Sequence, residues 1–321
     1  MSNAQTENRN IKLGVVAAPH MHWGKTIPSV MREICIALIP AVIMSVYNFG
    51  VASLTIMGLA VITAVATEAA CLKIMKKDVN VDDLHAVYLG LLIAFMLPAN
   101  SPWWLPVIGA FVCITLGKMV FGGLGANPFC PPALAWAVLM VCWPILIDAS
   151  SIDLTTPFLD PLYRLKYYGV ADVEANFSYA SLLLGQQMGG FGSSQVGALL
   201  IGGIFIASRL DVSPEIPIGF FLGIFILSGI LSYSNPEAHI GPMYHILSGS
   251  TVFGAFFLAT EFGGSPSRPV ARLLYGMLAG VLVIVIRSYG IYSDGVPFAV
   301  LLANLIAPYL ELIRPKPFGA Q

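Results

Sequence analysis

Apolar stretches long enough to cross a lipid bilayer recur along the whole chain, and they limit its possible folds more than any other feature. A transmembrane helix needs about 20 apolar residues to cross about 30 Å of hydrocarbon. Only 10% of the 321 residues are charged, whereas 57% are hydrophobic. Soluble domains carry roughly 25% charged residues. The sequence therefore predicts an all-α membrane protein with little mass in water.

Ten of these stretches have the composition of transmembrane helices. Several contain glycine or proline, which membrane helices tolerate because small residues permit close packing and neighbouring groups satisfy freed backbone atoms. The predicted spans are residues 33–49, 51–72, 84–98, 103–121, 132–147, 195–210, 216–232, 243–260, 270–289 and 296–313.

Lysine and arginine residues test this arrangement, because short cytoplasmic loops are enriched in them. With the N-terminus in the cytoplasm, only Arg164, Lys166 and Arg287 of the 16 basic residues fall on the outer side. If one span were missing or spurious, every later loop would be assigned to the wrong side of the membrane. The N-terminal stretch also lacks the apolar core of a cleavable signal, so both termini are predicted to be cytoplasmic.

One long hydrophilic segment, residues 148–194, follows the fifth predicted span and is expected outside the cytoplasm. Five spans in each half require the halves to have opposite orientations, so we predict two inverted five-helix repeats. The predicted division is a cytoplasmic tail at 1–32, a first repeat at 33–147, an external loop at 148–194, a second repeat at 195–313 and a cytoplasmic tail at 314–321.

Short matching motifs support the two repeats. Lys118 precedes the Pro-Phe pair at 128–129 by the same separation as Arg287 precedes the Pro-Phe pair at 297–298. A Ser-Pro pair lies upstream in each half as well. Matches at corresponding positions of two halves are typical of an internal repeat.

Each half also has a segment rich in glycine and proline between its last two spans, at 122–132 and at 289–298. Non-helical backbone at membrane depth must be buried in protein or line a polar cavity, because lipid cannot satisfy it. These segments are therefore candidate functional centres. The alternative is that they form two ordinary surface turns, which glycine and proline also favour.

Composition and missing motifs exclude several classes of function. The formal net charge of −1 offers no basic face for nucleic acid. No Walker loop or Rossmann fingerprint occurs, so direct NAD binding is not expected. The five cysteines contain no CxxC pair, and we interpret them as reduced, mostly buried residues that bind no metal. His85 and His245 lie near the ends of apolar segments, where hydrogen-bonded packing is expected rather than haem ligation.

Carboxylates within or beside the spans are candidates for an ion pathway, since an unpaired charge in a membrane is costly and rarely accidental. Glu68 and Glu261 are the ion-pathway candidates, and Asp294 is a candidate for shaping a cofactor pocket. The alternatives are that Glu68 pairs with Lys73 or a nearby backbone N–H, and that Glu261 and Asp294 cap helices.

Four segments together carry a family signature. They are APHMHWGKTIPSVMREICIALIPA at 18–41, GGLGANPFCPPALAWAV at 122–138, HILSGSTVFGAFFLATE at 245–261 and IRSYGIYSDGVPFAVLLANLIAP at 286–308. The chain resembles the D-type component of Rnf complexes and, more distantly, the related B-type component of the sodium-pumping NADH:quinone oxidoreductase. His20 and His22 in the first segment are expected to contact a partner subunit.

The resemblance implies an FMN that is joined through its phosphate to a threonine hydroxyl in the external loop. The matching segment is SSIDLTTPFLD at 150–160, so the implied acceptor is Thr156. Ser150, Asp153 and Thr155 depart from the family's pattern, and GGFGSSQ at 189–195 lacks the family's acidic residue. FMN or riboflavin held noncovalently, or an unmodified Thr-Pro turn, therefore stays open. The other candidate cofactor-binding residues are Gly122, Gly123, Asn127, Pro128 and Asp294.

The resemblance also implies the function. The expected protein is a bacterial inner-membrane subunit of an Rnf-type ferredoxin:NAD⁺ oxidoreductase, which couples electron transfer to translocation of Na⁺ or H⁺. Its expected partners are the A, B, C, E and G types of Rnf subunit, and the flavin would be one station for electrons. Two alternatives are a channel or transporter for a small polar solute, and a structural anchor without covalent flavin.

Overall fold

The structure is a computed structural model that describes residues 25–77, 82–147, 159–209 and 212–313. Within these ranges the chain is helical and contains no β-strand. The predicted all-α membrane fold is therefore confirmed, and each of the ten predicted spans lies on a helix or on a pair of successive helical segments.

The first half begins earlier than its hydropathy predicts. Helix α1 starts at Ile27 rather than at residue 33, because Thr26 and Ser29 form a capping box and Pro28 stands in the first turn. The helices of this half are α1 (Ile27–Phe49), α2 (Ala52–Ile74), α3 (His85–Phe95), α4 (Trp104–Ile114, continued by a π-helical turn at Thr115–Met119), α5 (Pro131–Cys142) and the short α6 (Pro144–Ile147).

The described part of the hydrophilic segment, residues 159–194, contains short helices that hydropathy did not predict. They are α7 (Pro161–Tyr168), α8 (Val170–Asn176) and α9 (Tyr179–Leu183). Asp160 caps α7 by accepting hydrogen bonds from the Leu162 and Tyr163 N–H groups. Ser178 caps α9 by accepting from the Ser181 N–H, whereas α8 has no side-chain cap. The limits of the five segments into which the sequence was divided stay predictions.

The second half repeats the order of the first. The span predicted at 243–260 is not continuous, because it is broken at Ser248–Ser250, where Gly249 has a φ of +62°. The helices are α10 (Val196–Ser208), α11 (Glu215–Ser234), α12 (Pro242–Leu247), α13 (Thr251–Phe253, continued by a π-helical turn at Gly254–Leu258), α14 (Pro269–Tyr289) and α15 (Val296–Leu310).

Helix lengths divide the spans into two groups. Among the described residues, α1, α2, α11 and α14 are long and apolar enough to cross a bilayer individually. The other apolar helices are shorter; α3 has 11 residues, which at about 1.5 Å per residue covers only about half of a bilayer's hydrocarbon. The third span is short in the first half, as α3, and broken in the second half, between α12 and α13. Interrupted helices of this kind are typical of membrane proteins that hold a site near the middle of the bundle.

The first helices of the two halves run in opposite directions. Near the start of α1, the Lys25 ammonium donates to the Arg209 carbonyl after α10. Near the end of α1, Asn48 donates to the Gln195 side chain just before α10. These contacts join the start of one helix to the end of the other, so α1 and α10 are antiparallel.

The last helices of the halves are antiparallel in the same way. Trp136 of α5 meets Phe298 at the start of α15, with ring centroids 5.4 Å apart. Cys130, six residues before Trp136, lies beside Asn304, six residues after Phe298. With the Asn304 amide oriented so that both its oxygen and its nitrogen find partners, the oxygen accepts a hydrogen bond from the Cys130 backbone N–H at 2.7 Å. Opposite directions for both the first and the last helices are what an inverted repeat requires.

Paired glycines set the closest helix contact in the second half. Gly219 and Gly223 of α11 face Gly276 and Gly280 of α14, and a Cβ atom at any of the four would overlap a backbone oxygen of the opposite helix. Without side chains in the way, the two backbones touch directly, as in GxxxG contacts between membrane helices.

The bundle has two ends, which we name from their contacts. The end that carries residues 159–194 is the loop end, and it includes the 289–295 segment, because Lys166 of α7 donates to the Gly290 and Ile291 carbonyls. The other end, at which α1 begins and α15 finishes, is the opposite end. There Glu311 accepts hydrogen bonds from Ser267, which lies just before α14.

Candidate functional sites

Two buried cations occupy corresponding positions in the two repeats. Lys118 is on the π-helical turn that continues α4, and Arg287 is on the last turn of α14. Only 2% of each side chain is exposed. Because α4 finishes at the opposite end and α14 at the loop end, the two cations lie on different sides of the bundle, each beside one of the glycine- and proline-rich segments.

Lys118 forms a buried ion pair with Glu68. The ammonium lies 2.5 Å from Glu68 Oε1, and 5% of the Glu68 side chain is exposed. The pairing of Glu68 with Lys73, considered from the sequence, is therefore wrong: Lys73 is exposed at the end of α2. Gly117 packs against Pro131, where a Cβ atom would come within 2.5 Å. This close approach fits the wider π-helical turn that carries Lys118.

Glu261 lies in the same buried region and has different partners. Its Oε2 accepts hydrogen bonds from the Asn127 side chain at 2.9 Å and from the Gly263 backbone at 3.2 Å. His85 Nε2 lies 3.9 Å from Glu261 Oε1. We call Glu68, Lys118, His85, Asn127 and Glu261 the buried charge cluster.

Several polar atoms of the buried charge cluster have no hydrogen-bond partner in the described part of the chain. They are Glu68 Oε2, Glu261 Oε1, Asn127 Oδ1 and both ring nitrogens of His85. The hydrogen-bonded packing expected for His85 is therefore not observed. Oxygen atoms that are buried and unpaired can accept a proton, a water molecule or a cation, so the cluster has the chemistry that an ion pathway needs.

The remaining predicted residues of the 122–132 segment lie outside this cluster. Gly122 and Gly123 have φ angles of +113° and +119° in an exposed or half-exposed turn, and Pro128 is exposed. Only Asn127 turns inward. The surface-turn interpretation thus describes residues 122–126, and the structure does not bring Gly122, Gly123, Asn127 and Pro128 together with Asp294, which lies at the loop end.

Arg287 at the loop end holds the break in the second half's third span. Its guanidinium donates to the carbonyls of His245 and Ser248 at 2.8 and 3.2 Å and to Thr251 Oγ1 at 2.8 Å. A broken helix inside a membrane exposes carbonyls that lipid cannot satisfy. The planar fork of arginine donors satisfies several of them at once.

Asp294 completes this arrangement from the 289–298 segment. Its Oδ1 lies 3.1 Å from Arg287, and its Oδ2 accepts from both the backbone and the hydroxyl of Ser250, at 2.9 and 2.5 Å. Gln187, from the hydrophilic segment, accepts from the Gly249 N–H and donates to the Leu247 carbonyl. The loop end is therefore a connected polar network around residues 245–251.

A cavity, which we call the loop-end cavity, opens beside this network. Its walls combine aromatic and thioether side chains with a few polar groups. They include Met96, Trp136, Met140, Ile147, Asp160, Gly189, Gly190, Ser193, Ser250, Tyr292 and Asp294. Mostly apolar walls with a few polar groups are typical of small-molecule sites.

The predicted flavin acceptor, Thr156, lies outside the described residues. Ile147, just before that gap, and Asp160, shortly after it, both line the loop-end cavity. Thr156 is four positions before Asp160, and an extended chain of that length reaches at most about 14 Å. Chain length therefore limits the Thr156 Cα atom to about 14 Å from the Asp160 Cα atom.

The walls of the cavity combine flat aromatic rings with a closely packed glycine. Trp136 and Tyr292 offer flat aromatic surfaces, and Tyr292 stacks on Phe298 with ring centroids 4.7 Å apart. Gly190 packs so closely on the Phe95 carbonyl and Ser193 that a Cβ atom would come within 2.5 Å of both. Aromatic walls suit a planar ring such as that of a flavin.

Sequence reasoning used the two buried cations to assign loops and to align the two repeats, but it missed them as site residues. The signal that could have found them was their matched position in the two repeats. The cysteine interpretation was partly wrong: Cys113 and Cys130 are buried, Cys35 and Cys71 are half-buried, and Cys142 is exposed. All five are free, and the described residues hold no group of three His, Cys, Asp or Glu side chains that could bind a metal.

Known proteins resemble this chain over nearly its whole length. Residues 14–319 match the NQR2, RnfD, RnfE family. Among the relatives, the D-type component of the Na⁺-translocating ferredoxin:NAD⁺ oxidoreductase complex of Acetobacterium woodii is 34% identical, over 94% of this chain and 93% of its own length. The D-type component of the ion-translocating oxidoreductase complex of Aliivibrio salmonicida is 32% identical, over 95% and 98%. The D-type component of the proton-translocating ferredoxin:NAD⁺ oxidoreductase complex of Clostridium ljungdahlii is 30% identical, over 100% of both chains.

Proposed function

Because this chain belongs to the NQR2, RnfD, RnfE family, we propose that it is the D-type component of an Rnf-type ferredoxin:NAD⁺ oxidoreductase in a bacterial inner membrane. The observation that carries the proposal is the end-to-end match to relatives that bear this component's name. Its partners are the A, B, C, E and G types of Rnf subunit. The relatives' names include both sodium and proton translocation, so the coupled ion is Na⁺ or H⁺.

The protein carries its flavin at the loop end, with FMN attached through its phosphate to Thr156. Three features support this assignment: the fit of the aromatic walls, the two cavity-lining residues on either side of the Thr156 segment, and the resemblance of that segment to the family's attachment site. When bound, a flavin supplies one- and two-electron transfer.

The residues of this chain position that group. Asp160 caps α7 and so fixes the chain four residues after Thr156. Trp136 and Tyr292 limit the motion of a flat ring and exclude water from its faces. The polar network of Arg287, Asp294 and Ser250 holds the broken helix that forms one wall.

The ion pathway uses the buried charge cluster at the opposite end. Glu68 and Glu261 each present a buried carboxylate oxygen without a partner in the described ranges. These oxygens belong to the two acidic side chains of the cluster, where a cation or proton would bind. The separation of this cluster from the loop-end cavity means that ion binding and electron transfer are coupled through the protein and not by direct contact.

In-gel flavin fluorescence of the denatured protein tests the attachment. The chain is prepared from its native host as the wild type, as Thr156→Ala and as the matched control Thr155→Ala, which changes the neighbouring threonine. We expect fluorescence in the wild type and in Thr155→Ala and none in Thr156→Ala. Fluorescence that survives Thr156→Ala would refute the acceptor. A dark wild-type band, with FMN or riboflavin released from the native complex, would support noncovalent binding instead.

A further inference from the structure

A second, basic pocket lies beside the loop-end cavity and has no role in the function proposed so far. Its polar lining consists of two cations, two imidazoles and two hydroxyls. They belong to Lys166, His239, His245, Arg287, Ser288 and Ser293. Among the described residues that line this basic pocket, none is acidic.

Two of the lining side chains have buried nitrogen atoms without a partner. Arg287 uses Nη1 and Nη2 for its four hydrogen bonds, but its Nε finds no acceptor within the described chain. His245 Nδ1 is likewise buried and unpaired. Arginine Nε always carries a hydrogen and can only donate. An unpaired buried donor is costly, and because both side chains line this pocket, a ligand that accepts hydrogen bonds would suit it.

The charge of the pocket indicates which acceptor. Lys166 and Arg287 contribute two positive charges, and Asp294 neutralises one of them through its contact with Arg287 on the side of the loop-end cavity. One positive charge remains. A monoanion with several acceptor oxygens matches both this charge and the number of donors, since phosphate oxygens accept strong charge-assisted hydrogen bonds from Arg and Lys.

We infer that the basic pocket binds a phosphodiester monoanion. Two sources have this chemistry at the loop end. One is the flavin linkage on Thr156, which rests on the proposed function; the basic pocket adjoins the loop-end cavity, with which it shares Leu162 and Ser293. The other is the headgroup of a phospholipid, which does not depend on the flavin.

Substitution of Lys166 tests the pocket, and helix α7 provides a matched control. Arg164 lies on the same helix and carries the same charge, but it pairs with Asp172 at 2.8 Å and does not line the pocket. The variants are Lys166→Gln, Lys166→Arg as the charge-conserving rescue, and Arg164→Gln. Lys166 also bonds to the Gly290 and Ile291 carbonyls, so Ser288→Ala serves as a milder fourth variant that keeps these contacts.

Two measurements on the detergent-purified complex distinguish the sources. Phosphorus-31 NMR reads the flavin linkage, and native mass spectrometry counts bound phosphatidylglycerol as the added probe. If the flavin phosphodiester occupies the pocket, its phosphorus-31 resonance shifts in Lys166→Gln and, to a smaller extent, in Ser288→Ala. The resonance does not shift in Arg164→Gln. If a lipid occupies it, phosphatidylglycerol binds at least about tenfold more weakly in Lys166→Gln, the loss expected for one charge-assisted hydrogen bond. Lys166→Arg restores either signal.

The inference is overturned if neither the resonance nor the lipid affinity changes in Lys166→Gln and Ser288→Ala, or if Arg164→Gln changes them as much. A failure of the proposed function would look different. In that case in-gel fluorescence would be missing from the wild type, and the lipid measurement would still decide the basic pocket.

Discussion

Lys118 and Arg287 stand at corresponding positions of the two repeats, but the protein surrounds them differently. Within the described chain, Lys118 has one hydrogen-bond partner, Glu68, and the pair is sealed from solvent. Arg287 has four hydrogen bonds, and its acidic partner Asp294 is 26% exposed. The repeat thus keeps a cation at each end and gives it a different environment.

The difference follows from the chemistry of the two side chains. Guanidinium presents several fixed donors and stays charged, which suits a permanent clamp on a broken helix. The lysine ammonium is a compact charge on a flexible stem, which suits an ion pair that has to break and re-form. The loop end thus holds a permanent clamp and the opposite end a sealed ion pair, where we propose the ion pathway. This contrast can be tested by removing one partner at a time.

The largest effect is expected from Glu68→Gln. The substitution leaves the Lys118 ammonium buried without an acidic hydrogen-bond partner, and breaking a buried ion pair costs about 3–5 kcal/mol. Thermal denaturation of the purified complex measures the loss. The double variant Glu68→Gln/Lys118→Met also removes the unpaired lysine charge and regains most of the stability. The control Lys73→Met changes the exposed lysine first considered as the partner of Glu68, and it leaves the stability of the wild type unchanged. A double variant no more stable than Glu68→Gln would contradict the buried pair.

Gly190→Ala probes the loop-end cavity and is expected to cost less. The new Cβ atom would clash with the Phe95 carbonyl and Ser193, and overpacking of this kind costs about 1–3 kcal/mol. We expect lower flavin content per complex together with a lower denaturation midpoint. Gly241→Ala is the matched control, because a Cβ atom there has no neighbour within 4 Å among the described residues. Equal flavin content in both variants would show that Gly190 has no role in flavin binding at the loop-end cavity.

Asp294→Asn should have the smallest effect of the three. Arg287 keeps its three other acceptors, and an amide at position 294 can still accept from Ser250. The expected cost is about 0.5–1.5 kcal/mol, the net contribution of a typical intramolecular hydrogen bond. The measurement is the same thermal denaturation. A loss as large as that of Glu68→Gln would show that the two cations are not differently supported.

The sequence predicted the helices better than their contacts. Each of the ten apolar stretches coincides with helical structure, because lipid demands apolar surface wherever a helix crosses it. The matched positions of Lys118 and Arg287 and the odd number of spans per half predicted the inversion that the antiparallel α1 and α10 display. The starts of helices were less accurate, since capping at Thr26 begins α1 before its apolar stretch.

What the sequence could not predict depends on tertiary packing. Glu68 and Lys118 are 50 positions apart, and Lys73 is closer along the chain, so only the packing of α2 against the turn after α4 reveals the real pair. The π-helical turns and the break at Ser248–Ser250 likewise depend on tertiary packing. The assignment of Thr156 stays a prediction that rests on the family resemblance, since residue 156 lies outside the described residues.

Cysteine labelling from the two sides of the membrane tests the central claim, that the corresponding segments of the two repeats face opposite sides. Leu124→Cys and Ile291→Cys lie in the two glycine- and proline-rich segments and are accessible, with 36% and 85% of the native residues exposed. In a background without the five native cysteines, a membrane-impermeant maleimide is applied to right-side-out spheroplasts and to inverted vesicles. We predict that Ile291→Cys reacts only in spheroplasts and Leu124→Cys only in inverted vesicles. Reaction of both from the same side would contradict the inverted repeat and the separation of functions built on it.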